Sequence, residues 1–204
     1  LRSLAYPEGK LRVINEKLAY QFRKIQLPPY VMSPRKGRGQ RDNAAAHVNG
    51  EQFLQLDIRK FYPSIERERV ARFFRDECGI TVDVAGMLTG FLTVDDAIAF
   101  GAPATPVFAL LVCRAMFDEI YELCRIHDLT MTLWVDDLTV SGEVIPGSVV
   151  AGIRAIVARH GFESHKVVRK TSSRPVDITG VLVDRAEVRP VNSVNLRVRD
   201  LERE

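Results

Sequence analysis

Residues 132–140 read TLWVDDLTV, and no other stretch says as much about the fold. The runs Met131–Val135 and Leu138–Ser141 are rich in β-branched, aromatic and aliphatic residues and too short for helices, so they read as two strands of a hairpin. Asp136 and Asp137 lie between them. Adjacent carboxylates at a tight turn repel one another unless water or a cation offsets the charge. A solvated hairpin tip would account for the pair by itself, but a third acid tilts the balance. Asp57 closes FLQLDI (53–58), whose Phe53, Leu54, Leu56 and Ile58 mark a largely buried strand, and a carboxylate on such a strand needs a partner or a metal. Neighbouring strands would bring Asp57 to the hairpin acids. Oxygen-only donors of this kind suit Mg²⁺ or Mn²⁺ rather than zinc, and two such ions form the arrangement that transfers a nucleotidyl group.

Upstream, Val107 to about Ile126 reads as the longest helix, with Pro106 in its first turn, where a missing N–H costs nothing. Ile65–Glu77, Thr81–Phe91 and residues 17–27 (KLAYQFRKIQL) also have helical apolar spacing, the last stopped by Pro28-Pro29. Ser33–Asp42 (SPRKGRGQRD) is a Gly- and Arg-rich loop. Downstream, Val149–Arg159 is an amphipathic helix closed by Gly161, and Phe162–Val168 and Val176–Val183 are further strands. The polar tail Arg197–Glu204 is expected to begin another helix. Helices and strands alternate without the regular period of a doubly wound sheet. The expected class is α+β, an antiparallel-centred sheet with packed helices.

With 204 residues, 46% of them hydrophobic, the chain can bury a sizeable core and is not a disordered protein. The longest apolar run, Val107–Cys113, is far short of the roughly 18 residues of a bilayer span. The chain opens at Leu1 with no charged-then-apolar leader, so no signal peptide is expected. Cys78, Cys113 and Cys124 form no CxxC pair, and with four scattered histidines they offer no zinc spacing. Reduced cysteines of a cytoplasmic protein are expected. The net charge of +3 is unevenly spread: residues 1–50 hold ten basic and three acidic residues, a net of +7, and the remainder nets −4. Phosphate binding on one part and cation binding on another would produce that polarity, and so would a solvated basic face.

Five segments, in order, carry a resemblance. LDIRKFYPSI (56–65) resembles motif A of reverse transcriptases, FGAPATP (100–106) motif B, and WVDD (134–137) the tetrad of motif C. Asn43-Ala44-Ala45-Ala46-His47 resembles the NAxxH element of retron-type reverse transcriptases, and Ile178-Thr179-Gly180 their Val-Thr-Gly. From about Lys10 to Pro190 the chain is similar to that family. The resemblance implies a right-hand polymerase palm with partial fingers and a thumb largely absent. Residues 1–52 would belong to the fingers, 53–190 to a palm with interspersed fingers helices, and 191–204 to the start of a thumb. It implies an RNA-directed DNA polymerase that copies and primes from a cognate structured noncoding RNA, with dNTPs as substrates and an RNA–DNA hybrid as product. A cytoplasmic place in antiphage defence, beside an effector protein and away from membranes, goes with it. Two alternatives share these residues: a defence-associated polymerase with template-independent or protein-primed synthesis, and a non-catalytic RNA-binding scaffold.

Residue by residue, the resemblance implies a metal-binding triad of Asp57, Asp136 and Asp137, with the Ile58 carbonyl as a backbone ligand to one of two Mg²⁺ (or Mn²⁺) ions. Tyr62 would be the steric gate that excludes a ribose hydroxyl; an ordinary half-buried aromatic is its plain alternative. Lys60 and Phe61 would offer backbone N–H groups to the triphosphate. Arg12, or more weakly Lys10, would grip that triphosphate, the alternative for both being a solvated hairpin charge. Lys166, with Lys170 as rival, would protonate the pyrophosphate leaving oxygen. Phe100 stands where the family has Gln, which removes an amide beside the nucleotide, while Gly101 keeps the close backbone approach. Trp134 and Val135 replace the usual Tyr and Ala. Arg35, Lys36, Arg38 and Arg41, with Asn43 and His47, would contact RNA; His47 is equally readable as a core histidine that orders the loop.

Overall fold

The structure, a computed structural model, describes residues 6–184 and 186–191. In chain order its elements begin with α1 (Gly9–Phe22), β1 (Val31–Ser33), α2 (Gln40–Ala45), β2 (Gln52–Ile58), α3 (Arg67–Arg72), α4 (Val82–Leu92), β3 (Thr93–Val94) and β4 (Ala97–Ile98). They continue with α5 (Thr105–Val112), α6 (Arg114–Ile126), β5 (Thr130–Trp134), β6 (Asp137–Gly142), α7 (Gly147–Arg159), β7 (Ser164–Thr171), β8 (Val176–Ile178), β9 (Val181–Asp184) and β10 (Glu187–Pro190). The expected α+β class holds.

The chain parts into two units: residues up to Leu27 with Arg59–Asp118, and Pro28–Ile58 with Glu119 onward. β2 falls with the strands that pair with it, and the helices that follow fall in the other unit.

The first unit is helical. Every residue of α5 from Val107 to Val112 is buried, as expected of a helix apolar on all sides. Its Phe108 stacks on Phe22 at the end of α1 (5.0 Å) and on Phe74 (5.3 Å), with Phe73 edge-on at 5.6 Å. Phe73 and Phe74 lie in a π-type turn, Phe73–Glu77, that prolongs α3, so the helix expected over 65–77 is present from Arg67. α1 runs earlier than expected and stops at Arg23, where Lys24 and Ile25 donate to Gln21 and Phe22 carbonyls three residues back, a tightening common at helix ends. The single helix expected from Val107 to Ile126 is two, α5 and α6, because Cys113 leaves helical geometry (φ −103°, ψ 7°).

The second unit is built on a five-stranded sheet in the order β1-β5-β6-β2-β7. All its pairings are antiparallel except β1 with β5. A smaller antiparallel sheet, β8-β9-β10, joins it. Phe53 of β2, Ala44 of α2, and Val176, Ile178 and Val183 of the small sheet form one buried cluster. α7 buries Val149, Ile153, Ile156 and Val157 at helical spacing, and Gly161, at φ +79°, closes it. The strand expected over 176–183 is a hairpin, because Thr179 and Gly180 both take left-handed φ (+50° and +85°) and turn the chain back. The tail expected to start a helix, Arg197–Glu204, lies outside the described residues. Among the described residues no helix is long and apolar enough to cross a membrane.

Candidate active site

β2 occupies the position in the large sheet from which one residue can face two neighbours at once. Its alternation is clean at the C-terminal end: Leu54, Leu56 and Ile58 are buried on one face, while Gln55 and Asp57 are half-buried on the other. In register, Asp57 pairs with Asp137 of β6 on one side and with Lys166 of β7 on the other. Cross-strand partners share a face, so Asp137, Asp57 and Lys166 form a transverse row over three strands. A bulge between Asp57 and Ile58 in the β2–β7 ladder ends the regular pairing beside this row, a common position for a bulge next to a site. The register also separates the two candidate lysines: Lys170 pairs with Phe53, four residues from Asp57, and Lys166 is the one in the row.

The β5–β6 hairpin delivers the other acid. Trp134 pairs with Asp137, which leaves a two-residue turn of Val135 and Asp136. Val135 sits at φ +61°, where hairpin turns of this length place glycine. For a β-branched residue that conformation costs roughly 1–3 kcal/mol. The Val135 N–H is held by the Ser33 carbonyl at 3.0 Å. The turn thus holds Asp136 and Asp137 where β5 ends and β6 begins, under local strain.

The charges around Asp137 are unbalanced. Partial desolvation, and then the negative charges of Asp57, Asp136 and Asp177, push its carboxyl up to about 6. A hard divalent cation relieves such a field, and the donors fit one in kind. Among the described residues no three acidic, His or Cys side chains already converge on a common point; Asp57 and Asp137 stand opposite one another in register. A cleft of about 350 Å³ opens over the row, lined by Gln55, Asp57, Asp137, Lys166, Lys170 and Asp177, with the Thr179-Gly180 turn at its rim. The motifs point to neither Gln55 nor Asp177. The period-2 step from Asp57 is the signal that finds Gln55, whereas Asp177 is brought in by the β8–β9 turn and carries no local signature. Gln55 Nε2 donates to the Asp177 carbonyl at 2.7 Å, and the Gly180 N–H donates to Asp177 Oδ1 at 2.8 Å.

The NAxxH segment is turned inward. His47 and Asn43 are 0% and 1% exposed, and both side chains have partners within the protein. His47 Nδ1 pairs with Ser141 Oγ (2.7 Å) and Nε2 with Thr132 Oγ1 (2.8 Å), fastening the end of α2 to β6 and β5. Asn43 Nδ2 donates to Thr179 Oγ1 at 3.1 Å. The NAxxH and Ile-Thr-Gly segments, 136 residues apart in sequence, are therefore in direct contact. In the preceding loop Lys36 and Arg38 are exposed, as is Arg41 in the first turn of α2, while half-buried Arg35 donates to the Pro28 carbonyl at 2.7 Å.

In the helical unit, Tyr62 is 9% exposed and its ring packs on Phe100 at 5.0 Å. Phe61 is buried against Tyr62 and Phe117. Lys60 (φ +48°) and Gly101 (φ +106°) take left-handed backbone conformations. Arg12 is on a helix, α1, and not on the hairpin considered for it. Its guanidinium pairs with Glu16 at 2.9 Å and lies over the Tyr6 ring.

No family model matches the chain. It is similar to curated retron reverse transcriptases: 28% identical over 143 residues to the Retron Se72 reverse transcriptase of Salmonella heidelberg (strain 579083-10), across 70% of this chain and 38% of the relative. To the Retron Mx65 reverse transcriptase of Myxococcus xanthus it is 27% identical over 209 residues, across 90% of this chain and 48% of the relative. The chain thus spans less than half the length of these relatives. Among solved structures, telomerase from Candida albicans in complex with a fragment of telomeric RNA superposes with a TM-score of 0.55 at 10% identity, over 92% of this chain and 34% of that one. Apo telomerase from Candida tropicalis gives 0.51 at 9%, over 92% and 41%. The fold is that of a partial reverse transcriptase palm and fingers, and the retron resemblance read from the motifs is borne out by the sequence relatives.

Proposed function

We propose that this chain carries the polymerising centre of a retron-type RNA-directed DNA polymerase, which copies a structured noncoding RNA into DNA from dNTPs. The observation that carries the reading is the transverse row Asp137–Asp57–Lys166 over β6, β2 and β7, beside the strained turn that bears Asp136. The reverse transcriptase names of the relatives support the same chemistry. Asp57, Asp136 and Asp137, with the Ile58 carbonyl, would hold two Mg²⁺ or Mn²⁺ ions. Bound there, such ions would lower the pKa of an attacking 3′-hydroxyl and neutralise the leaving pyrophosphate.

The chain's own groups divide the remaining work. Lys166, the cross-strand partner of Asp57, would give a proton to the leaving oxygen. Lys60 and Phe61 would meet the triphosphate through backbone N–H groups, with Arg12 released from Glu16 to join them. Tyr62, braced by Phe100, would exclude the ribose hydroxyl. Lys36, Arg38 and Arg41 would take RNA phosphates. A place in antiphage defence with an effector protein goes with this reading.

The test is incorporation of deoxynucleotides on a primed RNA template with Mg²⁺ or Mn²⁺ supplied and then chelated. Incorporation should require the metal and fall by more than about 100-fold in Asp57→Asn and in the double variant Asp136→Ala with Asp137→Ala. Metal-dependent incorporation that survives the double substitution would falsify the assignment.

A further inference from the structure

We infer that Asn43 is a positioning residue for the cleft: through its hydrogen bond to Thr179 it sets the β8–β9 turn, and with it Asp177, against the row of Asp57, Asp137 and Lys166. The inference rests on the function proposed above and adds a residue to it that does not touch the reacting atoms.

Three observations converge on the bond. First, Asn43 is an unfavourable residue for its position. It is 1% exposed, and its Oδ1 has no hydrogen-bond donor. A buried amide satisfied on one side only is worse for stability than an apolar residue of similar size. What the amide supplies there is the Nδ2–H to Thr179 Oγ1. Second, Thr179 needs holding. It is β-branched at φ +50° in a two-residue turn between Ile178 and Val181, a conformation that its own side chain disfavours. Third, that turn forms one rim of the cleft. On its near side, Gln55, two residues before Asp57 on the same face of β2, holds the Asp177 carbonyl, and Asp177 in turn accepts from Gly180. Asn43 and Gln55 therefore pin the turn from two directions.

The strut behind Asn43 is rigid. α2 is fixed to the large sheet at its far end by His47 on Ser141 and Thr132, and at its start the Asp42 carboxylate accepts the Gly39 N–H at 2.8 Å. The loop bearing Lys36 and Arg38 leads directly into this helix, whose first turn bears Arg41. The segment that carries the basic loop is thus the same one that fixes the cleft rim.

The test uses Asn43→Ala, Thr179→Val, which keeps shape and strain but loses the hydroxyl, the double variant, and Thr179→Ser, which keeps the hydroxyl. Each single loss should lower kcat for incorporation by about ten- to a hundredfold while the dNTP KM stays within about twofold. The double variant should be no worse than either single one, and Thr179→Ser should retain most of the rate. Hydrogen exchange at the Gly180 amide, which does not depend on activity, should speed up in Asn43→Ala and Thr179→Val alike. Unchanged amide protection, or single losses that multiply in the double variant, would overturn the inference. A wild-type chain that incorporates nothing would defeat the proposed function, and the amide exchange would still decide the role of Asn43. If Asn43→Ala fails to fold, Thr179→Val at the half-buried turn carries both measurements.

Discussion

His47 has no exposed surface, and each of its ring nitrogens has a hydroxyl partner. Burial alone holds the imidazole neutral, with its pKa pushed down to about 4. In the unfolded chain a histidine takes up a proton near 6.5. Stability contributed here is therefore complete above about pH 6.5 and falls as the pH drops towards about 4, by about 3 kcal/mol in all. Urea midpoints followed from neutral to mildly acidic pH should fall more steeply in the wild type than in His47→Gln; parallel slopes would remove this histidine as the cause. At this scale the sequence is legible where residue type alone implies chemistry. Asp57, Asp136 and Asp137 stand out because a carboxylate set among β-formers must be solvated, paired or bound to a cation. The direction in which Asn43 and His47 face is not legible, since a polar residue in a basic loop reads the same whether it meets RNA or a Ser–Thr pair 94 and 85 positions away.

Among the elements, the β5–β6 hairpin shows how a local rule gives way to a site. A glycine or asparagine at position 135 would suit the turn better than valine. Val135→Asn should raise stability by about 1 kcal/mol, the relieved strain being partly offset by lost apolar contact, and thermal unfolding measures it directly. An unchanged or lowered melting temperature would show that the turn is not strained. The helices α4 and α7 are readable from periodicity, because each buries one consistent face, and β2, β5 and β6 from short runs of β-branched, aromatic and aliphatic residues, which in β5 and β6 are buried at consecutive positions. The break at Cys113 and the turn at Thr179-Gly180 are hidden within continuous apolar or β-forming runs, where composition carries no boundary. β3, β4 and β10 are too short for any period to register.

Across the whole molecule, the modest net charge of +3 separates into a basic N-terminal quarter and an acidic remainder. Within that quarter the structure leaves Lys36, Arg38 and Arg41 exposed and commits Arg35 to a carbonyl; Arg38 is only loosely opposed by Asp42, at 4.0 Å. Replacing the three exposed cations by Ala should reduce the slope of log affinity against log salt for structured RNA by about two to three. Affinity titrations at a series of salt concentrations read this, and an unaltered slope would move the RNA to another surface. The antiparallel sheet also constrains how this chain can vary. Because Asp57 is aligned with partners on both sides and successive side chains of a strand alternate in direction, one residue inserted into β2 upstream of it would exchange the acid for its buried neighbour Leu56, and one deleted there for buried Ile58. Substitutions at the apolar positions of this strand are graded insults, whereas its length is a matter of parity. Lineages of this chain should therefore accept changes of letter in β2 far more readily than changes of count, and those of count only in twos.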